Sequence, residues 1–400
     1  MTARDPRRVR RAEVYKAGRP AATLTRNDLG VSFAYEPGYD GPPVAHTLPV
    51  GARVDVVGSG LPAFFAGLLP EGRRLNALRR SVKTSADDDL SLLLAIGEDT
   101  VGDVAVVPEG QEPVSVTPWV SSLEDLAGLD FSDLLAEAGF VDHVGLAGVQ
   151  DKVSTGMVTL PLAVGASAGI IKLDPPDYPD AVVNESYFLS LARRLKLPVV
   201  GSTLVHDRNG RPGLLVARFD RLAEPGGKMR RLAVEDAGQL LGRYPADKYN
   251  VTSEEVTGAA AAACQASAVA VRSCFQQFTF AWLTGNGDLH AKNLSVLMDE
   301  HGEWRMAPLY DIPSTLPYGD LSAALTLHGA TQGLTRKRFL QFADTIGLPA
   351  RAAESALEDV LRSTEPMLGE LSDGRLPWND NLRKSIVRQL TRRRTDLLAS

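Results

Sequence analysis

Over the first hundred positions, apolar and polar residues alternate in short runs broken by turn residues. Residues 14–16, 22–25 and 31–35 read as strands, with turns at Gly18-Arg19-Pro20 and at 27–30. The spacing then becomes helical over 61–81, around Phe64, Phe65, Leu68 and Leu69, and again over 85–97. Ser85 is placed as the N-cap of that second helix and Gly97 as its stop. This order predicts a small α+β module. Residues 108–118 carry three prolines and no helical period, which predicts a linker and a domain boundary.

The pattern of the middle third predicts a short helix at 122–135 and strands at 152–160, 169–173, 201–206 and 214–219. One helix, 183–195, interrupts them, with Phe188, Leu191, Ala192 and Leu195 on one face. From 233 onward helices dominate, including a long one over 256–283 and a last one over 380–398. Between them lies a hairpin-like pair at 293–298 and 305–312, and Thr335 caps a further helical segment. The expected division is therefore 1–115, 116–232 (a sheet plus one helix) and 233–400 (helical).

Composition narrows the class without naming a function. The 400 residues carry 43 Lys and Arg against 49 Asp and Glu, a net charge of −6, with 44% hydrophobic residues. This is a soluble chain able to bury a core, and its sign argues against a dedicated nucleic-acid binder. The arginines at 4, 7, 8, 10 and 11 have no apolar run behind them, which predicts no secretory signal. The mostly alanine stretch 258–271 is too short to span a membrane. Only Cys264 and Cys274 are present; on one continuous helix they would lie about 15 Å apart and could not pair. A reducing cytoplasm is the expected location.

Chemistry concentrates in 284–294 (TGNGDLHAKNL) and in 307–311 (APLYD). Asp288 and Asn293 are five residues apart, and Asp311 lies eighteen further on. Phosphoryl transfer of the protein-kinase type needs such groups: an Asp to take the acceptor proton, an Asn on metal, and a second Asp bridging Mg²⁺ to the phosphates. Asp and Asn are also ordinary turn residues, so this spacing alone is weak. Upstream, Lys172 sits within the apolar run Ile170-Ile171-Lys172-Leu173, as a phosphate-holding lysine would, and Glu185 on the next helix could pair with it. Before both lies the small-residue loop 145–152, with Gly148, Val149, Gln150 and Lys152 placed to cover phosphates.

These motifs, in this order, resemble the HipA family of serine/threonine kinase toxins from toxin–antitoxin modules, over about 14–390. The matching features are LLPEG at 68–72, GEDTVGDV at 97–104, GxQxK at 148–152, IIKL at 170–173, NE at 184–185, ARFDR at 217–221, NGDLHAKN at 286–293 and APLYDIPST at 307–315. The resemblance implies a two-lobed fold like that of protein and phosphoinositide kinases, behind an N-terminal α+β subdomain. It implies ATP and Mg²⁺ as cofactors, Asp288 as catalytic base, Asn293 and Asp311 as metal ligands, Lys172 as the nucleotide lysine, and Ala217, Arg218 and Phe219 as the hinge beside adenine. It also implies a helix-turn-helix antitoxin like HipB, DNA contact mainly through that partner, and an aminoacyl-tRNA synthetase as a possible substrate whose phosphorylation arrests growth.

Where the family often carries an autophosphorylated serine near the GxQxK loop, this chain has Gly145 and Ala147, with Ser154 and Thr155 only further on. Self-inactivation through that loop is therefore expected to be absent or moved. Two other readings compete. Asp288 and His290 could begin a D-x-H metal site for hydrolysis, although His290 is better read as holding the catalytic loop. Alternatively, the fold could be a catalytically weak scaffold for an antitoxin, assisting transcriptional autoregulation. The basic residues between Arg383 and Arg394 read as a solvated helix face or as phosphate contacts, and Phe64, Phe65, Leu68 and Leu69 as core or as a partner surface.

Overall fold

The structure, a computed structural model, describes residues 5–58, 60–85, 88–97, 100–113, 122–137, 158–164, 167–174, 177–224 and 229–399. The small-residue loop with Gly148, Val149, Gln150 and Lys152 lies outside the described residues, as do Gly145, Ala147, Ser154, Thr155 and residues 114–118 of the predicted linker.

The expected α+β character is observed. The N-terminal module is an antiparallel sheet of β1 (Arg11–Lys16), β2 (Arg19–Arg26), β3 (Gly30–Tyr35), β4 (Arg53–Val57) and β5 (Val104–Pro108), in the order β4-β3-β2-β1-β5. Alternation puts Ala12, Val14, Ala22, Leu24, Val31 and Phe33 inside, where they meet Phe64, Phe65, Leu90 and Leu92. Phe64, Phe65, Leu68 and Leu69 are all buried, so they are core and not an exposed partner surface.

Two predicted helices are broken or shifted. The 61–81 pattern folds as α1 (Ala63–Gly67) and α2 (Gly72–Val82), because Pro70 offers no N–H and Gly72 turns with φ 55°. The 85–97 helix begins later, as α3 (Asp89–Ile96). Asp88, not Ser85, caps it by accepting from the Ser91 amide, while the Thr84 hydroxyl donates to the same carboxylate at 2.7 Å.

The next layer holds α4 (Leu123–Ala127) and α5 (Phe131–Glu137), two short helices in place of one. They pack Leu126 and Phe131 on Ile171 and Leu173 of a second antiparallel sheet. Its strands β6 (Val158–Val164), β7 (Ser167–Leu173), β8 (Ser202–His206) and β9 (Pro212–Ala217) run in the order β6-β7-β9-β8, and α6 (Ala181–Ala192) covers the other face. After the hairpin β10 (Arg221–Ala223) and β11 (Met229–Arg231) comes a third small sheet. It joins β12 (Val234–Asp236), β13 (Ser295–Met298) and β14 (Trp304–Met306), and it lies beside α7 (Ala237–Leu240).

The long alanine-rich helix is in fact two, α8 (Ser253–Ala263) and α9 (Ser267–Thr284). Cys264 is extended at ψ 138°, and the Gln265 backbone donates to the Trp304 carbonyl at 3.0 Å while its side chain accepts from the Trp304 amide. Pairing with β14 therefore overrides alanine's helix propensity. The axial-separation argument for the cysteines fails with that helix. Both are nonetheless free and buried, and burial pushes the Cys274 thiol up to about 12. The predicted second hairpin strand is also shorter than 305–312, because β14 ends at Met306 and the chain turns toward the site.

The largest core surrounds α9, where Phe275 and Phe278 meet Phe339 and Phe342 of the α10 segment (Arg336–Thr345), and it takes in Leu357 of α11 (Ala350–Ser363). After α12 (Met367–Ser372), the last helix, α13 (Asp380–Leu398), lies over this core. Two of its arginines are not on a solvated face. Arg393 stacks 3.9 Å over Trp282 and donates to the Trp282 and Leu321 carbonyls, and Arg394 donates to Leu361 and Thr364.

Candidate active site

The central strand β7 explains Lys172. Residues on both sides of it in the strand, Ile171 and Leu173, are fully buried, and Lys172 itself is only 7% exposed. A cation in that position needs counter-charges. Its Nζ lies 2.7 and 2.8 Å from the two Glu185 oxygens and 2.8 Å from Asp311 Oδ1. Burial alone would favour loss of its proton; the charges of Asp311 and Glu185 overcome this and raise its pKa above the ordinary lysine value. Burial pushes the Glu185 carboxyl up to about 7, against the pull of Lys172.

Asn184 and Glu185 divide two tasks on α6. Asn184 accepts from the Ser314 amide and donates to the Ser314 carbonyl, both at 2.9 Å, which fixes the segment after Asp311. Asp311 itself has φ 55°, a left-handed backbone that an aspartate tolerates better than most residues. Glu185 is fully buried and does not line the cavity, so it makes the expected pair with Lys172 and acts on a nucleotide there only through that lysine.

The second half of the site is the loop after α9. Gly285 closes that helix in a left-handed conformation, and Gly287 has room for no side chain: a Cβ there would lie 2.6 Å from the Ser322 carbonyl. The loop then presents Asp288, fully buried, whose amide donates to Asn286 Oδ1 at 2.8 Å. Asn293 Nδ2 donates to the Asp288 carbonyl at 2.9 Å, which leaves its Oδ1 as the atom available to a ligand. Tyr249 donates to Asp288 Oδ1 at 2.5 Å, and its ring meets His290 edge-on at 5.0 Å. Burial, then the charge of Asp288, holds the Tyr249 phenol protonated well above its ordinary range.

The two halves face one cavity of about 350 Å³. Its lining includes Lys172, Ala217, Arg218, Phe219, His290, Asn293 and Asp311. The Arg218 guanidinium, however, is spent on Asp220 and on the Thr100 carbonyl, at 2.8 and 3.0 Å. Phe219 packs against Tyr310 with ring centroids 5.4 Å apart, and Tyr310 donates to the Lys292 carbonyl at 2.7 Å. A D-x-H metal centre is not assembled: among the described residues no group of three or more His, Cys, Asp or Glu is placed to hold an ion. The hard oxygens of Asp311 and Asn293 do suit a Mg²⁺ ion that keeps waters and takes its other ligands from phosphates.

Three residues of the site were not singled out by the sequence pattern. Asp236 caps α7 and pairs with Lys292 at 2.8 Å, and Lys292 also donates to the Gly67 carbonyl of the N-terminal module at 2.9 Å. Tyr249 belongs to an irregular segment with no spacing to mark it. Lys292 was visible inside the catalytic-loop motif, but nothing in the string pointed to its partner.

The model of the HipA-like C-terminal domain matches residues 144–367, more than half the chain, and that of the HipA N-terminal domain matches 12–107. The chain belongs to the HipA family. Among the relatives, a Sinorhizobium fredii protein named "Putative kinase Y4mE" is 31% identical over 80% of each chain. The Shewanella oneidensis serine/threonine-protein kinase toxin HipA is 27% identical, covering 87% of this chain and 85% of its own. A solved structure of a Shewanella oneidensis HipA, with HipB and operator DNA, superposes with a TM-score of 0.76 over 97% of each chain at 22% identity. The HipA fold, a kinase-like two-lobed architecture behind an N-terminal subdomain, is thus the fold of this protein.

Proposed function

We propose that the chain is a serine/threonine protein kinase that uses ATP and Mg²⁺ and serves as the toxin of a toxin–antitoxin module. The observation that carries this reading is the meeting of the Lys172 and Asp311 pair with His290 and Asn293 of the catalytic loop at one cavity, with Glu185 and Asp288 buried behind its lining. Bound Mg-ATP would supply an electrophilic γ-phosphoryl group, with Lys172 holding phosphate oxygens and Asn293 and Asp311 holding the metal. Asp288 would take the proton of the acceptor hydroxyl as its oxygen bonds to the γ-phosphorus and the bond to the leaving ADP breaks. Tyr249 holds that carboxylate in one orientation, Asn286 holds the Asp288 backbone amide, and Glu185 keeps the lysine ammonium in reach of the cavity. His290 packs against Tyr249 and steadies the same loop.

Partners follow from the relatives. A Shewanella oneidensis relative was solved with HipB and operator DNA, which supports a helix-turn-helix antitoxin here and DNA contact through the complex. Cytoplasmic action fits a chain in which no described helix is long and apolar enough to cross a membrane. A scaffold without activity has less support, because each described position of the expected machinery holds a chemically competent group. The test is to incubate the protein with Mg-ATP and purified aminoacyl-tRNA synthetases, map phosphopeptides and measure charging. The expected result is one modified serine and lost aminoacylation on one synthetase. If no synthetase is modified while other proteins are, the substrate class is wrong.

A further inference from the structure

Behind the catalytic loop, three buried polar atoms have no hydrogen-bond partner among the described residues: Ser253 Oγ, Trp282 Nε1 and Asn286 Nδ2. A buried donor left unpaired is destabilising, so such atoms normally find protein or ordered water. The backbones of these residues are already paired. Ser253 donates its amide to the Thr326 carbonyl at 3.0 Å, and its own carbonyl accepts from the Thr257 hydroxyl at 2.7 Å. The Trp282 carbonyl accepts from Arg393 at 2.9 Å, and the Asn286 amide donates to the Ala281 carbonyl at 2.8 Å. Nor can the Asn286 side chain be turned round. Its Oδ1 accepts from the Asp288 amide at 2.8 Å, which only the oxygen of a carboxamide can do, so the orphan is its NH2 end.

All three residues line one small cavity of about 10 Å³ that shares no lining residue with the nucleotide cavity. That is about the space one water needs, and a buried water typically makes about three hydrogen bonds. The polarities also match. The indole and carboxamide N–H groups only donate, and the serine hydroxyl can accept, which suits a molecule that accepts two bonds and donates one. Two N–H donors disfavour a cation, and the rest of the lining, Phe278, Leu289, Leu325 and Leu334 among it, offers an ion no counter-charge.

We propose that this cavity binds one ordered water, which joins Ser253, Trp282 and Asn286 and thereby braces the loop that carries Asp288. Ser253 opens α8 and Trp282 lies in the last turn of α9, so the water ties both helices to the loop. Ser253 and Trp282 are positioning residues, acting on Asp288 through Asn286. The water site stands on these atoms and the cavity; its effect on phosphoryl transfer rests on the kinase reading above.

The test has two readouts on the full chain. A high-resolution crystal structure is expected to show a water within about 3.2 Å of Asn286 Nδ2 and of at least one of the other two atoms. No ordered water there overturns the site. In kinetics, S253T and S253V have the same shape and differ only in the hydroxyl. The expected kcat is about fivefold lower in S253V than in S253T, with KM for ATP alike in both. S253A, which only removes an oxygen and retains the fold, is expected to lose kcat about fivefold against wild type. Thermal melts check that each variant is folded. Equal kcat in S253T and S253V, or S253A like wild type, overturns the positioning role. A wild type that transfers no phosphate overturns the kinase reading, and the crystal structure still decides the water site.

Discussion

Tyr249 donates its phenolic proton to Asp288 Oδ1 at 2.5 Å, from a segment 39 residues upstream of the catalytic loop. That bond holds the proposed base by one of its carboxylate oxygens. Tyr249→Phe removes that orienting bond and keeps the ring against His290. A hydrogen bond to a charged group is worth about 1.5–3 kcal/mol, so kcat is expected to fall about 10- to 100-fold with KM for ATP unchanged. Steady-state phosphorylation kinetics check this; an unchanged kcat would show that the bond is only structural.

The Lys172 ammonium neutralises two carboxylates, one of them fully buried. Lys172→Met leaves Glu185 and Asp311 facing each other without a cation. Breaking a buried pair in this way costs about 3–5 kcal/mol, whereas the Lys172→Met, Glu185→Gln double variant should recover part of it. Urea unfolding midpoints for the set provide the measurement. A single variant as stable as wild type contradicts the assignment of Glu185 as the lysine's counter-charge.

Asp174 sits at the start of the turn into α6 and accepts from the Val182 amide at 2.7 Å. Burial pushes its carboxyl up from 3.8 to about 6, with the nearby Asp180 charge adding to the effect. A raised carboxyl pKa means that the folded state binds the proton more tightly than the unfolded chain. Its contribution to stability is present below pH 3.8 and is lost as pH rises through about 6. Asp174→Asn keeps the acceptor without the charge. The variant should be about 1–3 kcal/mol more stable than wild type at pH 8 and equal to it near pH 4. Thermal melts across pH 4–8 read this directly, and a constant difference would refute it.

Much of this site was legible in the sequence, for identifiable reasons. Lysine inside an apolar strand, glutamate one element later, and Asp and Asn five apart are local patterns, and the structure brings those residues together. The misses are tertiary. The alanine-rich segment ends at Cys264 because Gln265 bonds Trp304, a contact 39 residues away that no propensity records. Arg393 and Arg394 looked like part of a basic face, but a guanidinium can be buried when carbonyls and an indole ring receive it. Tyr249 and Asp236 act through partners more than thirty residues distant in the chain.

Arg393 also yields a prediction. It bridges the end of α9 to the Asp320 and Leu321 turn, which packs on Gly287, so the last helix supports the catalytic loop. Burial lowers its pKa to about 10, yet it remains charged at neutral pH. Arg393→Ala should lower stability by about 2–4 kcal/mol, and Arg393→Lys should recover little, because an ammonium cannot reproduce the planar fork. Denaturant titration checks both; full rescue by lysine would contradict the geometry.

The central claim is phosphoryl transfer by Asp288 on nucleotide held at Lys172. The most direct measurement is transfer of γ-phosphate label from Mg-ATP into proteins of a kinase-inactivated bacterial extract, for wild type and Asp288→Asn, with nucleotide binding measured alongside. The account predicts that both bind Mg-ATP and that labelling falls at least about 1,000-fold in the variant. Equal labelling by the two proteins, or a wild type that binds Mg-ATP and labels nothing above the enzyme-free control, would contradict it.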